Sequence, residues 1–385
     1  MKVYDALVVG AGPAGLATSR ELTRAGVTHL VLERGDQIGH TWANLYTGLV
    51  LHTGKHLSAL PGLPFPPSTP LFPTRSDFVS YLHRYAGTFR LPVETHAEVT
   101  SFERERGHWI ARTGAGAAFR ARMLVVATGI VSNPHIPGIP NRAAFRGRAF
   151  HSVEYRQPNG FGGRRVLIVG AGNSAGEISV ELARAGAEVT VAVRSGARVV
   201  PRDLAGIPIQ YFGVALAVLP LGAQRWIAAS LDRLSSLARG PAVLPPPQPT
   251  VCVDVPLIGF HLADALRAGT IRLKGGLAGF TTTGVRFTDG SEQPFDDVIL
   301  ATGYGAAVGM LRELIRLDEC GFARRRDRVV SLDQPDLYFV GHNYDIRGGL
   351  FNIARDARLA ARHLSAALCD RSRTSIETPP LPSER

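Results

Sequence analysis

Lysine is almost missing from this chain. Only Lys2, Lys55 and Lys274 occur among its 43 basic residues, and the rest are arginine. The formal net charge of +11 would invite a polyanion partner. However, the arginines are spread along the chain, and no basic run is interleaved with aromatics, so the charge reads as biased composition rather than a nucleic-acid surface. A weak attraction for anionic substrates is the most it implies.

Cysteine is also scarce. Cys252, Cys320 and Cys369 are far apart and odd in number. Neither a disulfide framework nor a metal cluster follows from that spacing, and the expectation is idle thiols in a reducing cytosol. A long apolar run is absent too. The longest stretch, Tyr211 to Ala223, falls short of the roughly 18 residues a spanning helix needs. The N-terminus runs straight into a strand, and a cytoplasmic protein without a signal peptide is expected. A chain of 385 residues can bury a full core and usually forms more than one domain.

What the chain does contain is a repeat. Residues 7–26 read LVVGAGPAGLATSRELTRAG, and residues 167–186 read LIVGAGNSAGEISVELARAG. Each has an apolar β run, a glycine-rich turn and a helix ending in Ala-Gly. Second β runs follow, HLVLE at 29–33 and EVTVAVR at 188–194. Each unit is a βαβ start, and two of them predict two doubly wound, Rossmann-like dinucleotide-binding domains of α/β class. In each turn Gly10 or Gly170 allows the tight bend. Gly12 or Gly172 lets the backbone approach a pyrophosphate. Gly15 or Ala175 keeps helix and strand close, and the phosphate sits at the helix N-terminus.

The ends of the second strands differ. Glu33 can accept a hydrogen bond from a ribose 2′-hydroxyl, as an FAD site requires. In the second unit Val193 takes that place and Arg194 follows, where a guanidinium can pair with a 2′-phosphate. Unit one is therefore expected to hold FAD and unit two NADPH. Two further segments, MLVVATG (123–129) and VILATGY (298–304), are apolar strands ending in Ala-Thr-Gly. They return to a sheet beside a bound dinucleotide and supply Ala127, Thr128, Gly129, Ala301, Thr302 and Gly303. The stretch 337–364 reads as strand, glycine loop and helix. Gly341 and the helix start at Gly349 and Leu350 could face the flavin.

These residues carry a family resemblance. FRGRAFHSVEY at 145–155 contains Phe145, Gly147, His151 and Tyr155 in an F-x-G-x-x-x-H-x-x-x-Y pattern. It resembles the identifying motif of flavin-containing monooxygenases, the class B flavoprotein monooxygenases. Tyr155 favours that group over the related Baeyer–Villiger enzymes, which usually end the motif in Trp. Together with GHTW (39–42), LHTGKHLSALPGLPFP (51–66) and 253–277, the resemblance spans roughly residues 3–365. Within the group it is most similar to YUCCA-type indole-3-pyruvate monooxygenases and their bacterial relatives.

The resemblance implies a cycle in which NADPH reduces FAD and O2 then adds as a C4a-(hydro)peroxyflavin. One oxygen atom passes to a small organic substrate, by decarboxylation of an aryl α-keto acid or by N/S-oxygenation. The protein binds, orients and excludes water. By position, Gly10, Gly12, Pro13, Ala14, Gly15, Glu33 and Arg34 hold FAD, with Thr41, Trp42 and Val99 as flavin-side contacts. Gly170, Gly172, Asn173, Ser174, Ala175 and Arg194 hold NADPH, with Arg202 a second candidate there. Two histidines are catalytic candidates. His151 either positions the linker between domains or acts as a base. His52 stands where animal-type members carry asparagine, a departure that the YUCCA-like branch shares.

Two readings remain beside this one. The first is an NAD(P)H-dependent FAD reductase or oxidase that makes H2O2 or reduces a quinone-like acceptor. A thiol–disulfide enzyme is disfavoured, since no Cys-x-x-Cys pair exists. The second is a non-catalytic flavin sensor, against which the complete NADPH half argues.

The expected domain plan is discontinuous. Residues 1–150 and 296–370 would bind FAD, and the inserted 155–295 would bind NADPH. Residues 205–250 form an insert, either a lid or a structural cover, with an apolar helical part at 211–232. The tail 371–385 reads as disordered, and oligomeric state is not legible. One contact from Arg194 to a 2′-phosphate contributes roughly 1.5–3 kcal/mol, a preference of about ten- to hundredfold for NADPH over NADH. Arg194→Ala is expected to abolish that preference in steady-state kcat/KM. An unchanged ratio would remove Arg194 from the cofactor site.

Overall fold

The computed structural model describes residues 2–216, 219–220, 222–223, 226–227, 230, 240–248, 252, 256–311, 313–345 and 347–376. Two sheets with parallel cores organise the chain. The first runs in the order Arg325–Arg326, Val330–Ser331, Leu337–Phe339, Ala118–Val126, Val3–Val9, His29–Leu32, Val93–Glu94. Its central strands pair in parallel, with Val9 opposite Leu32 on one side and Val126 on the other. A hairpin, Val99–Glu105 with His108–Thr113, adds antiparallel strands to Ala118–Val126. The second sheet is parallel throughout, in the order Ile271–Lys274, Glu188–Ala192, Arg165–Val169, Asp297–Leu300, Arg148–His151. Near-continuous apolar strands such as ALVV and VLIV suit a sheet covered on both faces.

Helices Pro13–Arg24, Arg75–Thr88 and Gly349–Ile376 contribute to the core over the first sheet, through Leu16, Leu22, Phe78, Leu82, Ala357 and Leu364. Trp109, Phe102 and Phe339 fill a separate core containing residues from the same strands. In the second half Ile178 and Leu182 of the Asn173–Arg184 helix pack with Val166, Ile168 and Val191. No helix among the described residues is long and apolar enough to cross a membrane.

The structure departs from the sequence expectations in three places. Strands Arg148–His151 and Asp297–Leu300 lie in the second sheet, so their pairing falls across the expected boundaries at 150 and 296. An apolar run announces a parallel strand but not which sheet receives it. The C-terminal helix continues to Ile376, past the point where disorder was expected. No proline or glycine interrupts residues 371–376, and Arg371 pairs with Asp336 at 2.5 Å. Residues 377–385 lie outside the described residues. Cys252 and Cys320 form a disulfide with Cα atoms 5.5 Å apart, and Cys369 is free. Their separation of 68 residues hid a proximity that only tertiary folding creates. Of the insert, the helix Ile209–Leu216 is described, and Tyr211 OH bonds His56 Nδ1 at 2.6 Å. Most of the rest of the 211–232 segment lies outside the described residues.

Charged groups frame the second sheet. The fully buried Asp297 carboxylate accepts from Arg148 and Arg164. Beside it, Asp296 accepts from the Arg165 guanidinium at 2.7 Å and from its backbone N–H at 2.9 Å. Those bonds draw the Asp296 carboxyl down to about 2. Because the folded value is depressed, the stabilisation is present above the unfolded value of about 3.9 and is lost as pH falls through the folded one. Asp296→Asn is therefore expected to flatten the fall in Tm between about pH 4 and pH 2. Parallel wild-type and variant curves would rule the contribution out.

Candidate active site

Both glycine turns are built by the same contact. Gly10 has φ +104°, and a Cβ there would lie 2.7 Å from the Ala127 carbonyl oxygen. Gly170 has φ +129°, and its Cβ would lie 2.3 Å from the Ala301 oxygen. The Ala-Thr-Gly strand end thus abuts each turn, a closeness only glycine allows. Gly15 fills the third role: a Cβ there would meet Gly10 O at 1.8 Å. Ala175 is fully buried at the matching position.

Gly12 and Gly172 behave differently. Both are helix N-caps, and a Cβ on either would meet nothing within 4 Å. Among the described residues no side chain caps either helix start. Uncapped N–H groups at the positive end of a helix, with open space before them, form a cradle suited to a phosphate. Each turn fits the pyrophosphate of a dinucleotide such as FAD or NADPH on that observation.

A cavity of about 780 Å³ spans the two turns. From the first half it is lined by Gly10, Gly12, Pro13 and Ala14, then Glu33 and Arg34, then Thr41 and Trp42. Val99, Ala127, Thr128 and Gly129 form another wall, and Gly341, Gly349 and Leu350 a third. Asn173 and Ser174 reach it from the second turn, and His52 joins them. The Glu33 carboxylate is buried and accepts from Ala11 N at 2.7 Å and Gly35 N at 2.9 Å. Each oxygen keeps a further lone pair for a hydroxyl. Trp42 meets the Phe78 ring edge-on at 4.5 Å, which fixes its orientation.

Other expected residues lie away from the cavity lining. Gly15, Gly170, Gly172, Ala175, Ala301, Thr302 and Gly303 shape the turns and strand ends behind it. Thr302 Oγ1 donates to His135 O at 2.5 Å. Arg194 is exposed after the Glu188–Ala192 strand. Arg202 faces the first half instead. Its guanidinium lies 3.9 Å over the Phe72 ring and donates to Leu51 O at 3.3 Å.

The catalytic reading of His151 does not fit its surroundings. The ring is fully buried. Nε2 donates to Gly303 O at 3.1 Å, while Nδ1 accepts from Val153 N at 3.1 Å. Burial holds its imidazole below the ordinary range, and the Gly303 bond only partly offsets that. Both nitrogens are spent, so His151 is a joint tying the 145–155 segment to the second Ala-Thr-Gly turn.

Sequence reasoning missed Tyr46, Glu177 and Tyr304. Tyr46 and Tyr304 line the cavity. Glu177 stands one helical turn beyond Asn173, a spacing that could have flagged it as facing the same way. Its carboxylate accepts from Tyr46 OH and from His52 Nε2, the latter at 2.5 Å.

The two kinds of glycine give a test. Gly12→Ala meets no protein atom, so it is expected to keep the Tm of the FAD-free protein while losing bound flavin absorbance. Gly15→Ala collides with backbone and is expected to lower both. Full flavin content in Gly12→Ala would show that the open space is not the pyrophosphate site.

Comparison with known proteins agrees with this geometry. A model of the pyridine nucleotide-disulphide oxidoreductase family matches residues 7–203. The indole-3-pyruvate monooxygenase YUCCA1 of Oryza sativa subsp. japonica is 34% identical, covering 97% of this chain and 94% of its own. The probable indole-3-pyruvate monooxygenase YUCCA1 of Arabidopsis thaliana is 34% identical over 80% of this chain and 77% of its own. Among solved structures, the flavin-containing monooxygenase from Stenotrophomonas maltophilia superposes with a TM-score of 0.76 at 25% identity, covering 96% of this chain and 100% of that one. The chain belongs to the flavin-containing monooxygenase family and is a monooxygenase that uses FAD and NADPH.

Proposed function

We propose that this enzyme oxidatively decarboxylates an aryl α-keto acid of the indole-3-pyruvate type. The observation that carries the reading is the cavity that both glycine turns reach, with His52 on its wall at the position where animal-type members of the family carry asparagine. The relatives named for indole-3-pyruvate support the substrate class. The half built on Val3–Val9 would hold FAD, through the Gly10–Gly15 turn and Glu33. The half built on Arg165–Val169 would hold NADPH, through the Gly170–Ala175 turn and Arg194.

The balance is keto acid plus O2, NADPH and one proton giving the shortened acid, CO2, water and NADP+. The bound flavin supplies hydride acceptance and O2 activation. The chain's part is to orient and to exclude water. Leu45, Leu49, Val50 and Met310 give the cavity apolar wall for an aromatic group. Arg202 stands near Glu177 outside the lining, where its charge favours an anionic substrate.

The test is turnover of indole-3-pyruvate with NADPH under labelled O2. One labelled oxygen is expected in the carboxylate of indole-3-acetate, with about one NADPH consumed per product. NADPH oxidation that yields only H2O2 with a panel of aryl α-keto acids would overturn the reading in favour of an oxidase.

A further inference from the structure

Glu177 belongs to the helix that begins at the second glycine turn, yet its partners come from the first half. Tyr46 and His52 flank the short stretch that crosses the cavity wall. Both donate to the Glu177 carboxylate. Burial alone would raise the Glu177 carboxyl, but the His52 and Tyr46 bonds outweigh it and hold the group below its ordinary range. It is therefore an ionised acceptor. A carboxylate cannot donate, so the hydrogen between it and His52 sits on Nε2. Nδ1 is then the ring nitrogen left for the cavity that His52 lines.

We infer that Glu177 is a positioning residue, which fixes His52 with Nε2–H toward itself and Nδ1 toward the cavity as a site that can hold or release a proton there. This rests on the proposed oxygenation, which takes up one proton per turnover. The arrangement parallels other histidines whose second nitrogen is set by a carboxylate partner. Charged and titratable groups around the pair include Tyr46 and Tyr304 on the cavity wall, Glu181 near Tyr46, and His261 and Arg202 near Glu177. Tyr46 and Tyr304 are pushed above the ordinary phenol range by burial, so they stay neutral. Burial keeps His261 below its ordinary range, so near neutrality it is uncharged as well. Arg202 remains a fixed cation.

The experiment is 15N-histidine NMR of the FAD-bound enzyme with NADP+, in which His52 is assigned by the signal lost in His52→Asn. The wild type is expected to show the Nε2–H tautomer. Glu177→Gln is expected to mix the tautomers, because an amide can donate to the ring as well as accept from it. Tyr46→Phe removes one bond to Glu177 without touching His52, so it is expected to keep the Nε2–H tautomer. An Nδ1–H tautomer in the wild type, or an unmixed Nε2–H tautomer in a folded Glu177→Gln enzyme, would overturn the inference. The readout needs no oxygenation substrate. A failed search for an α-keto acid substrate would therefore leave it standing, and its own failure would leave the substrate reading untouched.

Discussion

The structure depends on one contact made twice, between a glycine turn and the carbonyl at the end of an Ala-Thr-Gly strand. The spaces at Gly10 against Ala127 and at Gly170 against Ala301 are too small for any Cβ. Moving the strand end away would open the sheet where the helix enters. Holding it there aims the first turn of each helix into the cavity, with Gly12 and Gly172 open before it. The sheet, the helix direction and the cofactor cradle are thus consequences of the same close approach. Both turns also sit at the carboxyl ends of central parallel strands, where doubly wound sheets leave a crevice.

The two halves meet through Glu177 on the second helix, which takes Tyr46 and His52. One turn on, Glu181 takes Tyr155 OH of its own half at 2.8 Å. Tyr46 and Tyr155 also lie ring to ring, 6.1 Å apart. Such a part-buried polar seam adds little net stability, because desolvation offsets most of the attraction. Leaving any member unpaired would be costly, so the seam specifies one docking arrangement rather than strengthening it. That precision matters where a flavin and a nicotinamide must share one cavity.

What could be read from sequence was local. The glycine turns, their flanking strands and the acid or arginine at the second strand end are all set within about thirty residues, and the fold class follows from them. What escaped depended on distant partners. His151 sits in a family motif, but its role is decided by Gly303, 152 residues away. Cys252 finds Cys320 only once the segments carrying them are packed. Glu177 resembles any solvent-facing helix glutamate until Tyr46 and His52 arrive from 131 and 125 residues away. The run at 298–304 was legible as a strand, but the strand at 148–151 was not, and only their registers assign 148–151 and 297–300 to the second sheet.

The cavity's chemistry narrows by elimination of its titratable walls. Tyr46, Tyr304 and Tyr344 are all pushed up by burial, Tyr344 to about 12. They hold their protons throughout the neutral range. Glu33 is committed to two backbone N–H groups, and Arg34 does not deprotonate in proteins. Among the described residues lining the cavity, His52 is the one imidazole, a side chain that can both donate and accept a proton. An enzyme whose cofactors carry the bond-making has little use for a set of acids and bases. It needs water kept out and a proton held at a known place. Apolar walls supply the first, and an imidazole with one nitrogen tied to a carboxylate supplies the second.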